Sequence, residues 1–336
     1  MCCIRALVAA VLLAVHCGPA LAQTPPPPTQ DWISEGGRDH PLVGVIWSAR
    51  AGRTATSDEL AAALTASRIA LFGEVHDNAD HHRLQAWAVD VLATRKLGPG
   101  VVFEHIRGNQ QAAVDAAIAE AKGEPETRAR FLLEKLDWKS SGWPSADIFL
   151  PLFEAPIRHG LSIMAGDPPR DTVKAVARSG ASELPAGDQP RLGLNKPLEE
   201  PLNDALLAEL VDSHCDLMPK TAFGNMSFAQ RYRDAHIADA AIAAVEQHGS
   251  AIVMTGNGHV RLDRSVPWYL RSRAAGENVL AVMPVEVRDG MTDATAYVLR
   301  DPDGKPVADF IVFTPRAERP DPCTEMRKRF RGNKRG

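Results

Sequence analysis

Short apolar runs alternate with amphipathic stretches along most of this chain, and that alternation narrows the fold more than any other feature. Runs such as IALF (69–72), VVF (101–103) and AIVM (251–254) carry no polar residue and are no longer than a strand. A strand that is apolar at every position is buried on both faces, as in a parallel sheet with helices on each side. The pattern predicts strands at Val43–Trp47, Ile69–Phe72, Val101–Phe103, Leu161–Ala165, Ala251–Thr255, Val279–Val285, Thr295–Leu299 and Phe310–Phe313. Helical periodicity predicts helices at Asp58–Ala66, His81–Arg95, Gln110–Ala121, Thr127–Lys135, Ala146–Arg158, Arg170–Arg178, Pro201–Cys215 and Ser227–Gln247. Ser57 is the expected cap of the first helix, and Asn78 or Asp80 of the second. The expected fold is therefore α/β: a mainly parallel central sheet with helices on both faces. The last three strands lack long helices between them and read as an antiparallel extension at the C-terminal end. Residues 179–199, rich in Pro and Gly, read as a long loop.

Titratable residues collect where four of these strands end. IALF runs into Gly73, Glu74 and His76; VVF into Glu104 and His105; SIMAG into Asp167; AIVMTG into Asn257 and His259. In an open parallel sheet ligands bind outside the carboxyl ends of the strands, so parallel strands would deliver all four sets to one mouth. Glu74 and His76 are two apart and share a face in extended backbone. Gly73, Gly256 and Gly258 permit tight turns and close approach. Carboxylates beside imidazoles suit general acid–base work, a divalent metal such as Zn or Mn, or hydrogen bonding to an acidic ligand. A single Glu after a strand is more often a cap, and a single His more often a structural hydrogen-bonder; the repeated Gly-x-x-His unit is what raises the set above that reading.

Length and charge set the outer limits. The chain has 336 residues, enough for one large α/β domain or two small ones. Its 38 basic against 42 acidic residues give no global attraction to nucleic acid. The basic end RKRFRGNKRG, from Arg327, reads as a solvated, disordered tail. Arg5, the apolar run Leu7–Val15 and Ala20-Leu21-Ala22 form a signal-peptide pattern over residues 1–22, with the mature chain expected from Gln23. A lipid anchor on Cys17 is disfavoured, because His16 stands where a small residue is needed. TPPPPT makes residues 23–30 a polyproline spacer, followed by the domain at 31–315 and the tail at 316–336. The mature chain holds no segment long and apolar enough to cross a membrane. Export implies an oxidising compartment, periplasmic or secreted. The two remaining cysteines, Cys215 and Cys323, can then form a disulfide clipping the tail near His214, or stay as free thiols. No G-x-S-x-G elbow, C-x-x-C pair or Walker loop is present.

GEVHDNADHH, WPSADIFLPLFEAPIRHGLSIMAGDPPR, SHC and YRDAHIADAAI…IVMTGNGHVRLDRSVPWYL together resemble the ChaN-type haem-binding uptake proteins of the Tiki superfamily. The likeness runs from about Pro41 to Pro284. It implies an exported haem-binding protein of an iron uptake route, with a tyrosine on the iron, two haems stacked in a homodimer, and exchange with outer-membrane haem uptake machinery. The positions matching the family motifs are Glu74, His76, Glu104, Arg233 and His259, with His82 and His214 matching more loosely. Tyr232 adjoins Arg233, and Tyr269 follows the GNGH loop; these are the candidate iron ligands, alongside His82 and His214. Arg233, Arg261, Arg264, Trp87 and Trp268 are candidates for a haem slot. Hydrolytic relatives in the superfamily imply the alternative, a metal-dependent protease or esterase using the same Glu and His set. A third reading is a binding scaffold with a vestigial site.

Overall fold

The computed structural model describes residues 25–95, 97–273 and 278–332. The leader, its cleavage point and Cys17 lie outside the described residues. In chain order the elements are β1 (Ile46–Ser48), β2 (Arg53–Ala55), α1 (Ser57–Ala66), β3 (Ile69–Phe72), α2 (Ala79–Thr94) and β4 (Gly100–Arg107). Next come α3 (Gln111–Glu120), α4 (Pro125–Lys135), α5 (Trp138–Ser141), α6 (Ala146–Arg158), β5 (Ile163–Asp167) and α7 (Arg170–Ser179). The remainder is α8 (Asp188–Arg191), α9 (Glu200–Ser213), α10 (Phe223–His248), β6 (Ala251–Met254), α11 (Asn257–Val260), α12 (Val266–Ser272), β7 (Val279–Glu286), β8 (Phe310–Thr314) and α13 (Pro322–Gly332).

The strands form one 8-stranded sheet in the order β2-β1-β8-β7-β3-β6-β4-β5. From β8 through β5 every neighbouring pair is parallel. The mainly parallel sheet with an antiparallel edge is thus as expected, but its edge is built differently. β7 and β8 are parallel, and the antiparallel strands are the N-terminal β1, paired with β8, and β2, paired with β1. The expected strand Thr295–Leu299 is instead a short 3-10 turn, Ala294–Tyr297. Asp293 causes it: its carboxylate accepts from the Thr295 N–H and starts a turn where the apolar pattern suggests extension. β2 escapes the sequence reading because three exposed or half-exposed residues, RTA, carry no apolar pattern. The true cap of α1 is Thr56, which forms a reciprocal capping box with Glu59, rather than Ser57. Residues 179–199 contain α8 and a 3-10 turn at Ala181–Glu183.

Alternation along the strands sorts the core into two layers. Ala70 and Phe72 of β3 face one layer with Leu60, Leu84, Trp87 and Phe149, so α1, α2 and α6 cover that face. Ile69 and Leu71 face the other, with Val176, Leu206, Tyr232 and Trp268, so α7, α9, α10 and α12 cover the reverse. The ends of the domain are tied down. The Trp87 indole donates to the Pro25 carbonyl at 2.7 Å, so the proline segment packs against α2. Part of the expected disordered tail, Pro322–Gly332, is the helix α13, and Cys323 is bonded to Cys215.

Candidate functional site at the carboxyl edge of the sheet

Six parallel strands, β8, β7, β3, β6, β4 and β5, put their carboxyl ends on one edge. β6 sits between β3 and β4, although β4 follows β3 in the chain. β3 connects to β4 through α2 on one face, while β6 leads into α12 on the other. Neighbouring strands whose connections leave to opposite faces open a crevice, and there the two Gly-x-x-His units meet.

The units interlock. A Cβ on Gly73 would lie 2.0 Å from the Asn257 side-chain oxygen, and one on Gly256 would lie 2.8 Å from Cε1 of His76. Each glycine is therefore the seat for a side chain of the other unit. The Glu74 carbonyl also accepts from the Asn257 N–H at 2.9 Å.

The end of β4 divides the polar residues between the faces. Phe103 and His105 point to the α2–α6 layer, and Val102 and Glu104 to the α10 layer. On the α2 side Glu74 is fully buried, with Oε1 accepting from Nδ1 of His76 at 2.6 Å and from Nε2 of His105 at 2.8 Å. The third imidazole is His82, whose Nε2 lies 2.8 Å from Glu74 Oε2 without the alignment of a hydrogen bond. The Ile148 carbonyl, 2.8 Å from His82 Nδ1, fixes that nitrogen as a donor. A neutral His82 would then turn a lone pair toward the carboxylate, which is repulsive unless a proton or a metal ion lies between them. Burial alone would raise the Glu74 carboxyl, but His82, His105 and His76 together hold it well below the usual range. Phe149 stacks on His82 at 3.9 Å, and Trp143 packs edge-on against both His76 and His105 at 4.8 Å. His76 alone among these imidazoles is appreciably exposed, at 40% of its side chain.

On the α10 side Glu104 is the centre. Its Oε2 accepts from the Thr255 hydroxyl at 2.6 Å and the Gly256 N–H at 2.7 Å; its Oε1 accepts from Arg233 at 2.7 Å. Arg233 also donates from Nε to Asp167 at 2.7 Å. His259 lies between two carboxylates, with Nδ1 2.7 Å from Asp234 and Nε2 3.3 Å from Glu104. Burial works against its charge, yet Glu104 and Asp234 outweigh that and push the imidazole up to about 10. Burial likewise opposes ionisation of Glu104, and His259 and Arg233 overcome it, leaving the carboxyl well below its usual range. His259 is therefore an imidazolium at neutral pH.

The structure brings Glu74, His76, Glu104, Arg233 and His259 to one edge and adds His105, Asp167 and Asp234. Of these, Asp167 and His105 stand at strand ends in the sequence without an assigned role. Asp234 is visible there only as the neighbour of Arg233. His81, beside His82, is structural: Nδ1 accepts from the Val75 N–H, Nε2 donates to Thr314, and burial pushes it down to about 4.

The other expected ligands are buried or already engaged within the protein. Tyr232 and Tyr269 are 1% and 0% exposed, packed in the α10 layer, and the Tyr269 hydroxyl accepts from Arg231 at 2.9 Å. Burial pushes Tyr232 up to about 12 and Tyr269 higher still. Neither is placed to bind iron at this mouth, because α10 turns Tyr232 and α12 turns Tyr269 into the core. His214 ends α9, with Nδ1 bonded to the Leu210 carbonyl at 2.7 Å, and His82 is sealed at 0% exposure. Trp87 and Trp268 belong to opposite layers and cannot line one slot. Arg261 and Arg264 are engaged by Asp263 and Glu209.

A doubly covered, mainly parallel sheet with an acid–imidazole constellation at its switch point defines a class of α/β proteins that bind or transform ligands at the carboxyl edge. Within that class this chain belongs to the haem-binding uptake family of the Tiki superfamily, ChaN, whose model matches residues 60–270. Its fold is similar to the structure of cofacial haem binding to ChaN of Campylobacter jejuni, with TM-score 0.60 and 15% identity over 80% of this chain and 95% of that one. It is also similar to an erythromycin esterase in its open conformation, with TM-score 0.44 and 13% identity over 83% of this chain and 99% of that one. No curated protein matches the chain.

Proposed function

We propose that this is an exported haem-binding protein of an iron or haem uptake route, working at the carboxyl-edge constellation. Membership of the ChaN family over residues 60–270 carries the reading. Stacking of two haems between two copies of the chain, and exchange with outer-membrane haem uptake machinery, belong to the same proposal. With both mouth-proximal tyrosines buried, the group that fits an axial ligand is His76. Its Nδ1 is held by the buried Glu74 carboxylate, which fixes the ring and makes Nε2 the basic nitrogen. Haem, when bound, would be held through His76 and would supply an iron able to bind such a nitrogen.

Absorption spectroscopy of the mature protein with haemin tests this. The expected result is a shifted Soret band saturating near one equivalent per chain. His76→Ala should abolish the shift, Glu74→Gln should weaken binding by about 10–100-fold, and Tyr232→Phe and Tyr269→Phe should leave the spectrum alone. An unshifted band in the unsubstituted protein ends the haem reading. Export is tested by intact mass, with Gln23 as the expected first residue.

One observation favours a second reading, a metal-dependent hydrolase. Ligand atoms of Glu74, His76 and His105 all lie within 4.8 Å of one another, and the Glu74–His82 contact lacks an aligned hydrogen bond. Calorimetric titration with Zn or Mn ions decides it: saturable binding lost in His105→Ala supports a metal, and no heat in the unsubstituted protein removes it.

A further inference from the structure

We propose that the Cys215–Cys323 disulfide is a redox-operated strap that draws the C-terminal segment across the edge bearing the site and holds one wall of it closed. The proposal depends on the carboxyl-edge constellation being the functional site, not on haem being its ligand.

β8 ends at the same edge as β3 and β6. The chain does not leave there. The Pro315 carbonyl accepts from Asn78 at 3.1 Å, and the Ala317 N–H donates to Glu286 at 2.9 Å. Arg319 then clasps both oxygens of Asp77, at 2.7 Å each, and both oxygens of Glu286, at 2.7 and 2.6 Å. Asp77 is the residue after His76, so this anchor is fixed beside the exposed imidazole.

The second anchor follows at once. Cys323 is bonded to Cys215, in the turn between α9 and α10. Four residues of extended chain reach at most about 14 Å, so residues 319–323 are a short tether from the loop after β3 to the α9–α10 turn. These anchors belong to opposite faces of the crevice, α2 continuing from one and α10 from the other.

What the second anchor holds is the wall of a cavity of about 280 Å³. Ser213, His214, Gln230, Gly258 and Arg264 line it. Gln230 reaches 3.4 Å from the His259 ring, and Gly258 precedes His259, so the cavity adjoins the Glu104 half of the site. The turn itself ends α9 through two left-handed residues. Cys215 and Asp216, neither of them glycine, have φ of 56° and 55° in the left-handed region. The turn keeps backbone bonds from Cys215 to Asp212 and from Leu217 to His214, and the disulfide is the covalent tie that joins it to the C-terminal segment, so cutting that tie frees the turn to move with α9.

The chemistry is thiol–disulfide exchange with a dithiol reductant. One reductant thiolate attacks a cystine sulfur, the S–S bond breaks, and the departing cysteine thiolate takes a proton. The second reductant thiol then displaces the remaining cysteine, and the reductant leaves as its own disulfide. The chain gains two thiols and the two electrons come from the reductant.

Hydrogen exchange on the full mature protein tests the strap, oxidised, reduced with dithiothreitol, and as Cys323→Ser. The time base is one on which β3, β4 and β6 stay protected when oxidised. Reduction and the substitution should each speed exchange about tenfold in peptides covering 206–217 and 256–264, with the sheet strands still protected. Carbethoxylation of His76 should accelerate in parallel, with exposed His159 as the unchanged control. Acceleration confined to 320–328 overturns the proposal, since the tail then only detaches. Acceleration that spreads through β3, β4 and β6 also overturns it, since the bond is then a general staple. An unchanged His76 rate shows that the segment does not guard the mouth. Failure of haemin to bind leaves all of these readouts intact.

Discussion

At the scale of single residues, His259 shows how much of the site depends on partners that the sequence does not advertise. Its place after a strand end is legible, because Gly256-Asn-Gly-His follows an apolar run. Its charge state is not, because Asp234 lies 25 positions earlier on α10 and approaches only through helix packing. Glu104 and His105 are adjacent in sequence yet serve opposite faces, a division that becomes readable once β4 is known to continue to Arg107. The placement of the tyrosines is illegible for a related reason: proximity to Arg233 or to the GNGH loop says nothing about which way a helix turns its side chains. We predict that Asp234→Asn removes one of the two carboxylates holding the imidazolium. His259 should then titrate lower than in the unsubstituted protein, where Glu104 and Asp234 both raise it, read by NMR of the ring protons. Taking one partner from a buried pair should cost about 3 kcal/mol of stability. An unaltered His259 titration would mean that Glu104 alone holds the charge.

At the scale of elements, the helices and central strands follow periodicity closely, and α6 is read residue for residue at Ala146–Arg158. The misses are places where side-chain hydrogen bonding or an exposed edge outweighs pattern, as at Asp293 and β2. The two Gly-x-x-His loops make a sharper case, because the need for glycine lies in the other loop rather than in the local backbone. Gly73→Ala would press a methyl group into Asn257, whose amide is committed to the Pro284 carbonyl at 2.7 Å. Gly256→Ala would press one into His76, a half-exposed ring that yields only by loosening its bond to Glu74. The first substitution should therefore cost about 1–3 kcal/mol in denaturant unfolding. The second should cost little stability but disturb ligand binding at His76. Equal stability losses from the two would show that the loops do not interlock as described.

Across the whole molecule, buried titratable groups on the two sides of one sheet edge set opposing pH dependences. His81 has a folded value of about 4, below its ordinary 6.5, so the unfolded chain binds more protons between those values. Its contribution is lost as pH falls from 6.5 toward 4. Glu74 and Glu104 add to this limb, because their depressed carboxyls give stability that disappears as pH drops through and below 4.5. His259 has the opposite sign: raised to about 10, it stabilises fully below 6.5 and loses that contribution as pH climbs to 10. Asp167 and Asp234, raised by burial, work the other way from Glu74 and Glu104: their cost appears as pH climbs from the ordinary carboxyl range through their raised values. Stability from urea unfolding should therefore peak at about pH 6–7 and fall on both sides. His81→Gln keeps an acceptor for Val75 and a donor for Thr314 without a titrating ring, so it should flatten the acid limb between 6.5 and 4 alone. Asp234→Asn should flatten the alkaline limb alone. A profile level from pH 7 to 10 in the unsubstituted protein would contradict an imidazolium at His259, and with it the charge network that joins Glu104, Arg233 and Asp167.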